Sequence, residues 1–308
     1  LHELVEETSI PDEEFAIYMN KRRQSLQANL QKTSCMARNL FFRSLFPRPH
    51  PYGDYALPVD ADKVSAQDVR DFFHRCYRWN TARLVISGAC HHLHWDKHPW
   101  LAETGLANTR QRDEERSFAT TPTKRETLRH PVPGAVQSTI RIGRLLPFAW
   151  NDMQHARFLI LNAILGGYFG SRLMSNLRED KGYTYSIYSR VQIMRGATVF
   201  SLSTDVNAEA TDNALKEIYG EMRRLREEPV PTDELETVKN YLAGEFLRGI
   251  DGVFERSERF IQQEYALVDD RLDANYLQAL SSVTPQQLQE LACEFLREDE
   301  LTEVVAGR

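Results

Sequence analysis

The chain has 308 residues, of which 42% are hydrophobic and 27% are charged, and its formal net charge is −6. This composition is ordinary for globular domains, and the negative charge disfavours nucleic acid as a partner. The length suffices for about two domains. No apolar run reaches the ~18 residues of a membrane span, and the four cysteines show neither metal-site nor disulfide spacing.

The N-terminal part is predicted to form two helices. The first begins at Pro11, where the acids that follow favour a helix start, and the second covers residues 35–46 and ends before Pro47. The run from Ala16 to Gly53 contains no acid and seven basic residues. A solvated helix face, or a surface that faces an acidic partner, explains this run better than a nucleic-acid patch, because the chain as a whole is acidic.

A further helix is predicted to start at Ser65, because Asp68 three residues later completes a capping-box pattern. Its apolar residues recur at helical spacing and make one stripe, namely Val69, Phe72, Phe73, Cys76 and Tyr77. We expect Cys76 and, in a similar C-terminal helix, Cys293 to be small buried apolar residues. Residues 81–87 are predicted to form a strand.

The C-terminal end repeats this pattern. Leu288 lies 219 residues after Val69 and opens an equivalent stripe, and the strand at 304–307 repeats residues 85–88 at the same offset. The helix start at Pro231 repeats the first helix start of the chain at an offset of 220 residues. Three elements that agree to within one residue indicate two copies of one module rather than a chance similarity of amphipathic helices.

This repeat divides the chain. In the second copy, residues 131–230 precede the helix start at Pro231, whereas only ten residues precede the equivalent helix start at Pro11. We therefore expect about 90 residues of the first module to be absent from this chain. We assign residues 1–92 to the C-terminal part of a first, N-terminally incomplete module. Residues 93–130 are assigned to a polar linker and residues 131–308 to a second, homologous module.

Strands and helices follow one another in separate groups in the second module. Residues 136–142 alternate as a strand, 156–165 form a helix that is apolar nearly all round, and 197–205 form a strand after a turn. Four helices are then predicted, at about 207–227, 231–249, 253–268 and 271–280. This order favours an α+β fold in which helices cover one face of a mainly antiparallel sheet.

The most specific pattern is the stretch LGGYFGSRLMSNLREDKGYTYSIYS at residues 165–189. The apolar face of a helix is predicted from Leu173, Met174 and Leu177. Ser171 is its predicted N-cap, and Gly182, which follows a lysine, marks its predicted end. A strand is predicted to follow at once, with Tyr185 on one of its faces.

The same spacing places Arg178 at the end of this helix and Tyr185 seven residues later. A short glycine turn between them would bring a guanidinium and a phenol together. Both groups are strong hydrogen-bond donors, and both suit a peptide carbonyl or an oxyanion.

This stretch resembles the signature of the pitrilysin/insulysin family of zinc metallopeptidases and their inactive relatives. In that family, the C-terminal module carries an arginine and a tyrosine at this spacing, after a small-residue turn and a Ser-Arg-Leu segment. The resemblance implies that Arg178 and Tyr185 hold the substrate peptide at the zinc site of the opposite module. Without it, Arg178 would be interpreted as a surface ion pair with Glu179 or Asp180, and Tyr185 as a half-buried aromatic of a sheet.

Active members of that family bind zinc with an H-x-x-E-H helix and a glutamate from a second helix. Two histidines at i and i+4 share a helix face and reach one zinc ion, and the glutamate between them takes a proton from the bound water. The motif occurs nowhere in this chain; the corresponding helix has no ligand at 159–163, and no acid occurs at 22–30, where the distal glutamate of the first module would lie. Glu245 in the second module has no histidine pair to join and is interpreted as a surface or inter-helix residue.

One other metal candidate is a cluster of cysteine and histidine, namely Cys90, His91, His92, His94 and His98. His94 and His98 could share a helix face, and Cys90 could add a thiolate. Because the cluster opens a linker and has no counterpart in the family, we interpret it as a polar linker segment. We therefore predict no metal ligand and no catalytic residue in this chain.

These observations favour a catalytically incomplete pitrilysin-like protein that binds peptide and completes the site of a zinc-bearing homologous subunit or module. Zinc is expected in that partner or in upstream sequence. One alternative is a fragment of an active zinc metalloendopeptidase, which the acid-free segment 22–30 disfavours. Another is a structural assembly subunit, like the peptidase-derived core proteins of respiratory complexes, which has no need of the Arg178 and Tyr185 pair. The compartment stays open between bacterial periplasm and cytoplasm.

Overall fold

A five-stranded sheet lies at the centre of the computed structural model, which describes residues 2–79, 82–92, 94 and 125–307. Its strands are β1 (Thr127–Pro131), β2 (Gln137–Leu146), β3 (Ile187–Met194), β4 (Ala197–Asn207) and β5 (Thr302–Gly307). Their order is β1-β5-β2-β4-β3, and every pair is antiparallel except the parallel pair β1 and β5. The predicted α+β fold with a mainly antiparallel sheet is therefore confirmed.

The helices form two groups along the chain: five precede β1, and six lie between the strands. The first group is α1 (His2–Glu6), α2 (Asp12–Leu30), α3 (Thr33–Leu45), α4 (Pro58–Ala61) and α5 (Ala66–Cys76). The second group is α6 (Met153–Asn162), α7 (Thr211–Glu227), α8 (Thr232–Asp251), α9 (Val253–Ala266), α10 (Arg271–Ser282) and α11 (Pro285–Phe295). None of the helices in the described ranges combines the length and apolar character that a bilayer crossing needs.

One face of the sheet carries the main core, as the alternation of the strands predicts. Ile140 and Ile142 of β2 are fully buried, and they join Phe158 of α6 and Phe295 of α11 in one apolar cluster. The ring of Phe158 meets that of Phe200 edge-on, with centroids 5.5 Å apart, which is a favoured aromatic geometry. This packing explains why the helix over 156–165, predicted to be apolar nearly all round, is buried.

The opposite face is partly covered by α3, so the expectation that helices cover only one face is incomplete. Phe41 of α3 is fully buried and lies against Gly143 of β2, where a Cβ atom would be 2.9 Å from its ring. A hydrogen bond of 2.9 Å joins the hydroxyl of Thr139 of β2 to the hydroxyl of Thr33 at the start of α3. The segment assigned to the first module therefore packs on the sheet of the second.

Beyond α3, the same face continues over β4 and β3, and we call this part the open face. Its residues alternate with the core positions of their strands, namely Arg141, Tyr188, Arg190, Ser201 and Ser203. Tyr188 and Arg190 are exposed to solvent. The open face thus leaves a polar and cationic surface beside α3.

Two predictions about local structure are wrong. Residues 82–87 form no strand, because a strand needs a neighbour to pair with its backbone groups; instead, the hydroxyl of Ser87 donates to the carbonyl of Val253 at 2.9 Å. Cys76 and Cys293 are both exposed rather than buried. The thiol of Cys293 lies on the outer side of its helix and contacts a backbone carbonyl of α7.

The apolar stripe of α5 is present but uncovered by the described residues. Both α5 and its repeat α11 begin with a capping box, at Ser65 and Thr284. In α11 the stripe is buried, as Leu288 at 0% exposure shows, whereas Phe72 and Tyr77 of α5 are 51% and 56% exposed. The sequence pattern thus predicts the helix correctly, and burial differs because α11 has the sheet and two helices beside it.

Candidate functional site

The signature stretch folds as a π-helix that spans Met174–Asp180. Its predicted apolar face is confirmed, because Leu173, Met174 and Leu177 are buried in the main core. Ser171 precedes the helix, but its buried hydroxyl has no hydrogen-bond partner among the described residues, so the predicted side-chain cap is absent. π-Helical turns are rare and occur frequently at functional sites.

The end of this helix is formed as predicted. Gly182 has φ of +64°, a left-handed conformation that glycine adopts without strain. The N–H of Lys181 donates to the carbonyl of Asn176 at 3.0 Å, and the N–H of Tyr183 donates to the carbonyl of Leu177 at 2.8 Å. These bonds close the helix end by the αL route that commonly terminates helices.

This turn also places the two predicted site residues near the same point of the backbone. The hydrogen bond from Tyr183 to Leu177 joins two neighbours of these residues: Leu177 directly precedes Arg178, and Tyr183 lies two residues before Tyr185. Arg178 therefore lies in the last turn of the π-helix and Tyr185 lies two residues before β3, on the two sides of this turn. Within the described residues, no hydrogen bond or ring contact links these two side chains directly.

Tyr185 is 91% exposed and lies before β3, which begins at Ile187. The predicted strand position of Tyr185 is thus wrong, and so is the alternative that made it a half-buried aromatic. Its neighbour Thr184 donates to the carbonyl of Asp205 at 2.7 Å and accepts a hydrogen bond from Thr204 at 2.9 Å. These bonds fasten the backbone to β4, so Tyr185 projects from an anchored segment.

Arg178 is exposed, and its guanidinium lies 4.7 Å from the centre of the Phe169 ring. The adjacent acids Glu179 and Asp180 form no ion pair with it in the described part of the chain, where the nearby cation Lys181 is instead close to a glutamate of α7. The surface ion pair considered from the sequence is therefore not found. A guanidinium stacked on an aromatic ring keeps its N–H donors free for a ligand.

A polar cleft of about 720 Å³ lies on the other side of the π-helix, and sequence analysis did not predict it. Arg172 of the Ser-Arg-Leu segment donates two hydrogen bonds to Glu234 of α8, at 2.8 and 2.7 Å. These bonds raise the pKa of Arg172. Asn176 likewise donates to the buried Glu221 of α7 at 2.7 Å. These contacts hold the signature stretch against α7 and α8, so Arg172 is committed within the protein.

The helix α6 occupies the place of the zinc-binding helix in the second module, and its residues do not fit zinc. His155 is its only candidate ligand; it is fully buried, and neither ring nitrogen has a hydrogen-bond partner among the described residues. No group of three His, Cys, Asp or Glu side chains that could hold a metal ion occurs in the described ranges. A zinc site in a protein needs three or four such ligands, and we derive no catalytic step through zinc in this chain.

The other candidate metal ligands do not form a metal site within the described residues either. Cys90, His91 and His92 form a short 3-10 turn, while His98 lies outside the described residues. Glu245 is half exposed and forms an ion pair with Arg248 one turn along α8, as expected for a surface residue.

The buried His155 makes the stability of the protein dependent on pH. Burial lowers its pKa from 6.5 to about 4, although the charge of Asp152 opposes this shift. The unfolded chain therefore binds a proton below pH 6.5 that the folded chain refuses until about pH 4, so stability falls as the pH drops through this window. We expect about 2 kcal/mol of this loss by pH 5.

Urea unfolding of the wild-type protein and His155→Leu at pH 7 and pH 5 measures this contribution. The variant is expected to lack that part of the acid loss, and at pH 7 to be as stable as the wild type or more stable, because it removes two buried polar atoms without partners. An equal acid loss in both proteins would show that His155 is not the titrating group.

Comparison with known proteins now adds a family. Residues 63–242 match the protein family described as "Peptidase M16 inactive domain". A Helicobacter pylori (strain ATCC 700392 / 26695) protein named "Non-peptidase homolog YmxG" is 27% identical over 235 residues, which cover 72% of this chain and 52% of that protein. A Bacillus subtilis (strain 168) protein named "Uncharacterized zinc protease YmxG" is 24% identical over 157 residues, which cover 50% of this chain and 38% of that protein. The chain thus spans about a third to a half of the length of these relatives.

Solved structures show the same fold. The crystal structure of a peptidase M16 inactive domain from Pseudomonas fluorescens has a TM-score of 0.76 at 18% identity, with 97% of this chain and 71% of that chain covered. The crystal structure of a protease from Helicobacter pylori has a TM-score of 0.78 at 17% identity, with 97% and 73% covered. At such identities the likeness shows the fold alone.

The sheet, its helices and the signature turn define a peptidase-like module of the pitrilysin type. Because the family match covers more than half of the residues, the chain belongs to the Peptidase M16 inactive domain family. The resemblance inferred from the sequence is thereby confirmed.

Proposed function

We propose that this chain is a non-catalytic partner: it binds peptide through Arg178 and Tyr185 and completes the active site of a zinc-bearing homologous subunit or module. The observation that carries this proposal is the turn at Gly182. There, a guanidinium that forms no ion pair among the described residues precedes the turn, and a phenol that is 91% exposed follows it on an anchored backbone. Neither side chain serves the fold, so their exposure needs another reason.

The chemistry of the pair suits a peptide. Carbonyl groups of an extended chain accept hydrogen bonds, and both Arg178 and Tyr185 donate them. The strand β3 is also an edge of the sheet, and an extended peptide can add to a sheet edge through its main chain. Together, the edge and the two donors provide main-chain pairing and carbonyl contacts at one place.

The uncovered stripe of α5 supports a homologous partner module. Its buried repeat α11 packs against α6 and α7 of this chain, whereas Phe72 and Tyr77 of α5 are half exposed. A module with counterparts of α6 and α7 would cover this stripe as α11 is covered. The division into a first module at 1–92, a linker at 93–130 and a second module at 131–308 belongs to the same proposal.

The proposal also places zinc in the partner or in upstream sequence. This chain aligns with less than two fifths of each relative whose name contains "zinc protease". The remaining part of those proteins leaves room for a zinc site. Among the described residues, neither α6 nor the acid-free segment 22–30 of α2 offers a set of ligands. The alternative of a structural assembly subunit gives the exposed Arg178 and Tyr185 pair no task.

Peptide binding by the purified chain tests this proposal directly. A fluorescent extended peptide is titrated with the wild-type protein and with Tyr185→Phe, which removes one hydroxyl. Because a neutral hydrogen bond contributes about 1 kcal/mol, we expect binding to weaken about fivefold. Tyr265→Phe is the matched control, because Tyr265 is a similarly exposed tyrosine on α9. Absence of peptide binding by the wild-type protein, or equal loss in both variants, would refute the proposal.

A further inference from the structure

Three arginines lie on the open face or on α3 beside it, and no carboxylate forms an ion pair with them in the described ranges. Arg141 lies on β2, Arg190 on β3 and Arg38 on α3, and none of them contributes to an ion pair there, although arginines elsewhere on the surface do. The buried Nε of Arg141 has no hydrogen-bond partner among the described residues. Three guanidinium groups without an ion pair at one place are a strong local positive charge.

The register of the strands places these groups close together. Ser203 of β4 lies between Arg141 and Tyr188, and Ser201 lies beside Arg190 in the next row. Arg141 and Arg190 are two strands apart, at about 4.8 Å per strand, and about 7 Å apart along the strand direction. Because these two directions are perpendicular, their Cα atoms are about 12 Å apart. The guanidinium of Arg190 lies over the Tyr188 ring, at 5.0 Å from its centre.

The arginines also affect one another electrostatically. Burial lowers the pKa of Arg141, and the positive charges of Arg190 and Arg38 lower it further, while Tyr188 and Asp205 oppose them. Asp205 is the one carboxylate near Arg141 in the described residues, and it accepts a hydrogen bond from Thr139. The repulsion among the arginines is therefore only partly compensated within the protein.

We propose that the open face binds acidic side chains of the peptide, so that this chain prefers acidic substrates. This inference rests on the function proposed above and adds a substrate class to it. Tyr185 stands at the same end of the sheet, because Thr184 is bonded to Asp205 at the end of β4. Beyond this point the peptide would leave the edge of β3 and cross the open face from Arg141 to Arg190, above Ser203 and Ser201, which are buried between them. Planar guanidinium groups bind carboxylates with two parallel hydrogen bonds.

Peptide fits this face better than nucleic acid. The chain has a net charge of −6, which repels a polyanion over long range, while isolated carboxylates at close range still gain from the local arginines. Four residues of an extended peptide span about 13 Å, which matches the separation of Arg141 and Arg190. Two acidic side chains about four residues apart would therefore reach both.

The test compares two peptides that differ only in charge. One carries two glutamates spaced about four residues apart, and the other carries glutamines at the same positions. The wild-type protein is expected to bind the glutamate peptide about tenfold more tightly, and this preference should shrink as salt rises. Arg190→Gln and Arg38→Gln, both at exposed positions, are each expected to reduce the preference about threefold to fivefold.

Arg223→Gln is the matched control, because Arg223 is an exposed arginine on α7, on the other side of the sheet. It should leave the preference unchanged. Equal affinity for both peptides would overturn this inference and leave the proposed function intact, whereas failure to bind either peptide would overturn both. Displacement of the glutamate peptide by a short single-stranded DNA at lower concentration than by unlabelled peptide would show a nucleic-acid site instead.

Discussion

Arg178→Ala is expected to reduce peptide hydrolysis by the assembled pair, this chain with its zinc-bearing module, by about 10- to 100-fold in kcat/KM. The variant loses a charged donor, and hydrogen bonds to charged groups contribute about 1.5–3 kcal/mol. The fold should be unaffected, because Arg178 is exposed and, within the described ranges, forms no hydrogen bond or ion pair and stacks on the ring of Phe169. The measurement is steady-state kinetics with one peptide substrate, after thermal unfolding has shown equal stability.

The matched control for this experiment is Arg223→Ala, which removes an exposed arginine from α7. It should leave kcat/KM unchanged. Arg178→Lys should recover only part of the activity, because an ammonium keeps the charge but loses the planar fork of the guanidinium. Unchanged turnover with Arg178→Ala would refute the role of this residue.

Gly143→Ala is expected to destabilise the fold by about 3 kcal/mol or more. A Cβ at this position would overlap the carbonyl oxygen of Phe200 and would lie 2.9 Å from both the Phe41 ring and the Cα of Ser201. Two of these neighbours are backbone atoms of β4 that cannot turn aside, so β2, β4 and α3 would have to separate. Urea unfolding followed by circular dichroism measures the change.

Gly220→Ala is the control for this substitution. Gly220 lies inside α7, and no atom lies within 4 Å of the position of its added Cβ. Alanine favours a helix over glycine by about 1 kcal/mol, so this variant should be slightly more stable than the wild type. If Gly143→Ala unfolded at the same urea concentration as the wild type, the close packing of α3 on the sheet would be wrong.

Local patterns predicted most of the elements. The capping box at Ser65, the αL turn at Gly182 and the alternation of β2 depend on residues within a few positions of one another. The signature stretch could be recognised for the same reason, since Arg178 and Tyr185 are separated by one helix end and one turn.

Features that depend on distant partners could not be predicted. The packing of Phe41 on Gly143 joins segments about 100 residues apart, and no periodicity in either one shows it. Residues 82–87 have the composition of a strand but no strand beside them, and Cys76 has an apolar stripe but no core to enter. Arg141 and Arg190 likewise come together only through strand register.

The position of Tyr185 shows a finer limit. Its alternation with Ile187 predicted a strand, but pairing with β4 starts at Ile187. Thr184 accounts for the difference, because its hydroxyl donates to the carbonyl of Asp205 and accepts from the N–H of Ser186, and these bonds occupy the backbone just before the strand. Side-chain bonds of threonine to nearby backbone groups commonly compete with regular structure in this way.

The most direct test of the account measures zinc and peptide hydrolysis with the purified chain, alone and together with its zinc-bearing module. Alone, the chain should bind peptide, contain far less than one zinc per molecule and hydrolyse nothing. With the module present, hydrolysis should appear and should depend on Arg178. One tightly bound zinc per chain, together with hydrolysis by the chain alone that a chelator abolishes, would contradict the account.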